Sequence, residues 1–202
     1  MNFNRSLFLC LLLSVASAAL AQSGAAPAAK PQAEPPAVLP VSTIVDNQLK
    51  TAEREFVEAA EAMPEDKYNF TPDNLKLQGS EYKGVKTFAE EVKHVAVTNF
   101  EFFSAVLGEK PPVDVTQDNG SPAMTSKAEI VKMLRDSFAL GHRACLSLTA
   151  ENMGQTVPVG QGKSTRLFLA MFASAHAFDH YGQMVEYLRM NGIIPPASRP
   201  RK

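Results

Sequence analysis

The 202-residue sequence has no tryptophan and only two cysteines, Cys10 and Cys145. Its charges are nearly balanced, with 20 basic and 21 acidic side chains, whereas nucleic-acid-binding proteins usually present a clustered basic face. The glycine-rich patterns that bind nucleotides are missing, and residues 160–165 only resemble a fragment of one, so we interpret them as a mobile loop. Sustained two-residue alternation of apolar and polar residues is also missing. The sequence therefore argues against a nucleic-acid partner and against long strands.

The first 21 residues have the features of a secretory signal. Arg5 precedes an apolar stretch, and Ala19 and Ala21 form the small-x-small pattern after which signal peptidase cleaves. An uncleaved membrane anchor is the alternative interpretation of residues 1–21. Residues 22–40 contain six Ala and five Pro, which predicts a flexible linker. We expect an exported protein, periplasmic or extracellular, without a membrane span after signal cleavage.

Cleavage of the signal would leave Cys145 as the only cysteine, which excludes an intramolecular disulfide and an attached haem. Cys145 lies on the apolar side of a predicted helix. That position predicts a packed core residue and not a nucleophile.

Four segments with helical periodicity follow the linker, separated by glycine and proline. Capping boxes that start at Thr87 and Ser126 predict the beginnings of the second and third helices. Together the segments predict an all-α four-helix bundle over residues 41–196, followed by a basic tail, residues 197–202. The connection 108–125 is long enough to cross the bundle. The predicted helices span residues 42–63, 87–107, 126–152 and 165–191.

The apolar residues of each helix mark the side that we expect to face the core. These stripes are Ile44, Leu49, Ala52, Phe56 and Ala59 with Ala60 in the first helix; Phe88, Val92, Val95, Phe102 and Val106 in the second; Ile130, Leu134, Phe138, Cys145 and Leu148 in the third; and Leu169, Phe172, His176, His180, Gln183 and Tyr187 in the fourth.

The four histidines are the candidate metal ligands. His176 and His180 are four residues apart, so they share a helix face with Cβ atoms about 5–6 Å apart, and both imidazoles could reach one ion. A buried hydrogen-bond network would satisfy the pair equally well. Periodicity does not decide whether His94 or His142 is a third ligand, because His94 lies opposite its helix's apolar stripe and His142 lies at the edge of its own. Both also fit a solvated surface.

The spacing of the histidines excludes two common metal sites. A carboxylate-bridged di-iron bundle needs Glu-x-x-His on two helices, and only Glu91 and His94 form such a pair. The His-Glu-x-x-His pattern of zinc peptidases does not occur.

The end of the sequence resembles the DinB/YfiT-like superfamily, whose members are regarded as metal-dependent enzymes. The last helix carries His176-Ala-Phe-Asp-His180-Tyr-Gly-Gln, then Tyr-Leu-Arg and a Gly-Ile-Ile-Pro end. The segment around His94 and the opening of the third helix at Ser126 are similar to the same family. The resemblance covers about residues 42–196.

The resemblance implies a crossed four-helix bundle in which His94, His176 and His180 form a facial triad on one divalent transition metal, such as Zn, Ni or Fe. It thus favours His94 over His142. It also implies that the polar side of the second helix lines the pocket. That side comprises Glu91, Thr98 and Glu101.

The expected function is that of an exported metal-dependent enzyme, a hydrolase or transferase, that acts on a small molecule. The better-understood branches of the family are transferases or isomerases that use low-molecular-weight thiols. The sequence does not identify a catalytic residue, and a homodimer is compatible with such a bundle. One alternative is a non-catalytic metal- or ligand-binding bundle of the cell envelope. Another is a metal-free helical domain whose histidines are packed or solvated.

Overall fold

The structure, a computed structural model, describes residues 38–200. The predicted signal peptide, 1–21, and most of the predicted linker, 22–40, lie outside the described residues. Four long helices and a small sheet form the fold, which confirms the helical bundle. Their bounds are α1 Val41–Ala62, α2 Phe88–Leu107, α3 Lys127–Leu146, β1 Thr156–Val159, β2 Gly162–Thr165 and α4 Arg166–Met190.

Helices that follow one another along the chain do not always pack side by side. The first helix, α1, packs against α3 and α4, and α2 packs against the same two helices, so α1 and α2 occupy opposite corners of the bundle. Asn99 in the middle of α2 bonds Ser137 in the middle of α3, and Glu109 just after α2 pairs with Arg143 near the end of α3. The helices α2 and α3 therefore run parallel. The connection 108–126 must return along the length of the bundle, as its length predicts.

The second helix begins and ends as the sequence predicts. The Glu90 amide donates to Thr87 Oγ1 at 3.2 Å, and the Thr87 amide donates to the Glu90 carboxylate at 2.7 Å. At the other end Gly108 has a φ of 72°, the left-handed conformation that glycine adopts readily. These local signals fix where α2 starts and stops. It is the helix that carries His94.

The third helix begins after Ser126 as predicted, but without the predicted capping box, and it ends earlier than predicted. Ser126 makes no side-chain cap, and the Lys127 amide donates to the Glu65 carboxylate at 3.4 Å. The helix ends at Leu146 and not near Asn152, because Thr149 and Asn152 exchange side-chain-to-backbone hydrogen bonds of 2.8 and 3.2 Å. Such local bonds offer the backbone an alternative to further helix.

Most residues of the predicted stripes are buried, and the exceptions show where the buried side of a helix differs from the predicted one. Ile44 is 55% exposed because the buried stripe of α1 runs through its neighbour Val45. On α4, Phe172 is 41% exposed and Gln183 is also exposed, since the core side follows Ala173, Ala177 and Met184. Phe102 is half-buried. Cys145 is fully buried, and burial together with the Asp46 charge raises the pKa of its thiol to about 12. This supports a packing role for Cys145.

The prediction of a mobile loop at residues 160–165 is wrong, because these residues belong to a β-hairpin. The strands β1 and β2 pair antiparallel from Thr156 opposite Thr165 to Val159 opposite Gly162, with a two-residue turn between them. Gly160 enters this turn with a φ of 52°. Strands of four residues are too short to show two-residue alternation, so the turn was the only local signal. The hairpin carries the chain from the end of α3 to Thr165, whose side chain caps α4.

Across residues 38–200 we find no helix with both the length and the apolar character needed to cross a membrane.

Candidate metal centre

Three histidines from two antiparallel helices meet between α2 and α4. His176 Nε2 is 3.0 Å from His94 Nε2 and 3.1 Å from His180 Nε2. One ligand atom of each residue lies within 4.8 Å of the other two. The spacing of His176 and His180 places both on one face of α4, and the packing of α2 against that face adds His94. The structure thus brings together the three histidines that the family resemblance selects.

The ring of His94 is held on its outer side by the long connection between α2 and α3. Its Nδ1 is 2.9 Å from the Asp118 carbonyl oxygen and 2.9 Å from the Asp118 carboxylate. Both partners accept hydrogen bonds, so Nδ1 carries the proton and Nε2 presents a lone pair. The side chain is 13% exposed. The half-buried position of His94 corrects the solvent-facing side that periodicity suggested.

The ring of His180 is held in the same way by a buried carboxylate. Its Nδ1 donates to Glu91 Oε2, and the two atoms are 2.5 Å apart. The Glu91 side chain is 2% exposed and the His180 side chain 11%. His180 Nε2 is therefore also a lone-pair donor directed at His176.

The third ring, that of His176, has no carboxylate partner. Its Nδ1 is buried without a hydrogen-bond partner among the described residues. Burial and the neighbouring His180 and His94 rings lower the pKa of His176 to about 4, so the imidazole is neutral at pH 7. If its proton sits on Nδ1, three lone pairs converge. Nδ1 is left unsatisfied in either tautomer, as a donor or as an acceptor, at a cost of about 1–3 kcal/mol.

This donor set fits a divalent transition metal. Bonds of about 2.0–2.1 Å place two nitrogen ligands about 2.9 Å apart at a right angle and about 3.3 Å apart in a tetrahedron. The separations of 3.0 and 3.1 Å fall within that range. Neutral imidazoles suit zinc, copper, iron or nickel and not magnesium or calcium. An ion at this point would use all three lone pairs and remove their repulsion.

A family model described as the DinB superfamily matches residues 48–184. The chain belongs to the DinB superfamily. A search of curated proteins finds no match.

Solved structures that have the same fold include two DinB-like proteins and one isomerase. A DinB-like protein from Bacillus cereus is 16% identical with a TM-score of 0.57, over 75% of this chain and 93% of that one. One from Bacillus subtilis is 18% identical with a TM-score of 0.57, over 78% and 99%. A mutant of the mycothiol-dependent maleylpyruvate isomerase is 12% identical with a TM-score of 0.55, over 72% and 61%. At these identities the likeness shows the fold alone.

His142, the other candidate for the third ligand, lies elsewhere in this DinB bundle, between α3 and α1. Its Nδ1 donates to Asp46 Oδ1 at 2.6 Å and its Nε2 donates to Glu53 Oε2 at 2.9 Å. Burial lowers the pKa of His142, but the hydrogen bonds and charges of Glu53 and Asp46 outweigh it, so the pKa lies above its usual value. With a proton on each nitrogen, His142 has no lone pair for a metal.

Sequence reasoning placed Glu91 in the pocket only through the resemblance, and it missed Asp118. Glu91 precedes His94 by three residues, so both lie on one side of α2, which is a usable signal. Asp118 lies in an irregular connection, where no periodicity indicates the direction of a side chain. Glu101, also expected in the pocket, approaches the hairpin at Gly160 and forms no hydrogen bond to the three histidines.

Proposed function

We propose that this DinB-superfamily protein is a metal-dependent enzyme, a hydrolase or transferase, with one divalent transition metal on His94, His176 and His180. The observation that carries the proposal is the convergence of three Nε2 atoms at separations of 3.0 and 3.1 Å, with two of the rings fixed from behind by carboxylates. Three ligands on one side of an ion leave positions for water or substrate, as in catalytic zinc sites.

The chemistry that a bound ion would supply is activation of water near neutral pH or polarisation of a substrate oxygen or sulfur. The contribution of the chain is to hold and orient the ligands. Glu91 and Asp118 keep the protons of His180 and His94 on Nδ1. The low pKa of His176, which burial lowers to about 4, keeps that ring neutral.

One cavity lies behind the metal centre, on the Nδ1 side of His180, and none of the three histidines lines it. It measures about 480 Å³ and lies between α4 and the connection before α2. Such a volume falls within the range of about 300–1,000 Å³ that is typical of ligand pockets. Glu91 and Gln183 in its wall both face His180, at 2.5 and 3.5 Å from Nδ1. The remaining lining residues are Pro72, Tyr82, Gly84, Val85, Lys86, Glu186, Tyr187 and Met190.

The first experiment is elemental analysis of the protein purified without chelator or histidine tag, beside His176→Ala. We expect about one metal per chain, lost in the variant. Turnover of ester, phosphoester and thiol-transfer substrates, abolished by chelation, would then identify the reaction class. The thiol-transfer arm is included because a fold neighbour is named a mycothiol-dependent isomerase. Absence of metal from both proteins, with no thermal shift on adding zinc or nickel, would contradict the proposal.

The second candidate function is metal or ligand binding without turnover. The observation that favours it is that both carboxylates near the metal centre, Glu91 and Asp118, are already bound to ligand histidines, so neither is a free general base. Full metal occupancy without activity on the substrate panel would support this alternative.

Export is a further part of the proposal. It rests on the sequence of residues 1–21 and on the linker 22–40. Mass spectrometry of the protein made in a Gram-negative host should find Gln22 as the first residue in the periplasmic fraction. We propose a small-molecule substrate or ligand as the partner, with no nucleic acid and no membrane after cleavage. Light scattering would distinguish a monomer from a homodimer.

A further inference from the structure

We infer that Glu91 and Asp118 are positioning residues, which orient the histidines of the metal centre. Through Asp118, metal binding also holds the long connection between α2 and α3 in place. This inference rests on the proposed metal site. It goes beyond that site because it assigns roles to two carboxylates outside the ligand set and to a segment that contributes no ligand.

The hydrogen-bond partner of Nδ1 decides which nitrogen of the His94 and His180 rings carries the proton. A neutral imidazole has one donor and one acceptor nitrogen, and the partner of one decides the role of the other. Glu91 accepts from His180 Nδ1, and Asp118 accepts from His94 Nδ1. Both carboxylates therefore force the lone pair onto Nε2, where the rings meet. Carboxylates in this outer position typically contribute 10–100-fold to metal affinity.

The two carboxylates differ in their exposure to solvent. Glu91 is 2% exposed, whereas Asp118 is 68% exposed. Solvent screens the charge of Asp118, and the backbone carbonyl of the same residue also accepts from His94 Nδ1 at 2.9 Å. Removal of the charge at Glu91 should therefore weaken metal binding more than its removal at Asp118.

Three α2-side residues hold the short stretch 118–124. His94 binds Asp118, Lys86 Nζ lies 3.0 Å from Asp118 Oδ2, and the buried Lys93 donates to the backbone carbonyls of Ser121 and Met124 at 3.1 and 3.4 Å. Of these attachments only the His94 ring would also touch the ion.

An ion that fixes the His94 ring would hold Asp118 and hence the stretch 118–124. By linkage, metal binding and ordering of that stretch favour each other by the same factor, so loosening the stretch weakens metal binding. The connection is therefore expected to be more protected from hydrogen exchange in the metal-bound protein than in the apoprotein.

The test compares Asp118→Asn with Asp114→Asn in the full chain. Asp114 is a matched control because it lies in the same connection and its carboxylate bonds only Thr116 and Gln117. Zinc affinity, measured by competition with a chromophoric chelator, should fall about 10-fold in Asp118→Asn and remain unchanged in Asp114→Asn. Glu91→Gln should lose more, up to about 100-fold. Circular dichroism of the zinc-free variants checks that each is folded.

Two further readouts separate positioning from general stability. The visible absorption bands of the cobalt-substituted protein should shift in Asp118→Asn and Glu91→Gln but not in Asp114→Asn. Amides of residues 118–124 should exchange several-fold more slowly with zinc than without it, and this protection should shrink in Asp118→Asn.

The outcomes distinguish the two proposals. A wild-type protein that binds no zinc would overturn the metal site itself. Wild-type binding with equal zinc affinity and equal cobalt spectra in Asp118→Asn would leave the site in place and overturn the role of Asp118. Zinc-independent exchange of residues 118–124 would overturn the coupling to the connection.

Discussion

The histidine between α1 and α3 and the three between α2 and α4 are all mostly buried, yet their polar surroundings are opposite. His142 has a carboxylate on each nitrogen, and these neighbours raise its pKa. His94 and His180 each have a carboxylate on Nδ1 only, and the pKa of His176, which has none, is lowered to about 4. The number of carboxylates per ring separates an ion pair that joins two helices from a set of lone pairs that can bind a metal.

The largest expected effect is the loss of metal-dependent stabilisation at the three histidines between α2 and α4. Zinc at 100 times its dissociation constant should stabilise the wild-type protein by about 2.7 kcal/mol, which corresponds to about 5–10 °C in melting temperature for a domain of this size. Alanine at His94, His176 or His180 should abolish the shift, and His142→Ala should keep it. Differential scanning calorimetry with and without zinc measures this. Loss of the shift in His142→Ala alone would show that the metal binds at His142 and not at the three histidines between α2 and α4.

The next largest effect is the loss of the ion pairs of His142 between α1 and α3. Without metal, His142→Ala should destabilise the fold by about 2 kcal/mol, because it leaves the buried Asp46 carboxylate with only the exposed Lys50 as a partner. His176→Ala should cost less, since no charged group depends on His176. Urea denaturation of both chelator-treated variants gives the comparison. A more damaging His176→Ala would contradict it.

The third prediction sharpens the comparison through pH. Burial opposes the shift, but Glu53 and Asp46 raise the pKa of His142 in the folded state. Its contribution to stability is therefore full below the unfolded pKa of about 6.5 and disappears as pH rises through the folded value. The stability difference between wild type and His142→Gln, without metal, should be larger at pH 6 than at pH 9. Urea midpoints at the two pH values test the sign, and a difference that grows with pH would be inconsistent with the ion pair.

The smallest effect separates the two carboxylates of His142. Asp46 is 4% exposed and Glu53 is 29% exposed. Glu53→Gln should therefore cost less than about 1 kcal/mol, a value close to that of exposed pairs, and Asp46→Asn should cost more. Neither substitution should change zinc affinity. Equal urea midpoints for the two variants would show that burial does not set the strength of this pair.

Capping and turn residues predicted both ends of α2 but only the beginning of α3. The box at Thr87 needs only residues within one turn, and it forms as predicted. The similar pattern at Ser126 does not form a side-chain cap, although the helix does begin after Ser126. The hairpin before α4 was missed, since its two strands are each too short to show a pattern.

The sequence by itself determined the number and approximate extent of the helices and the placement of His176 and His180 on one face. Covalent geometry is enough for these, because the helix repeat fixes which residues share a side. Periodicity left the choice between His94 and His142 open, and only the family resemblance favoured His94. The tertiary structure decided that His94 lies with His176 and His180, that Glu91 and Asp118 fix two of these rings, and that two carboxylates saturate His142. These choices depend on the directions and registers of helices that are distant in sequence, and the packing of the whole core sets those directions and registers.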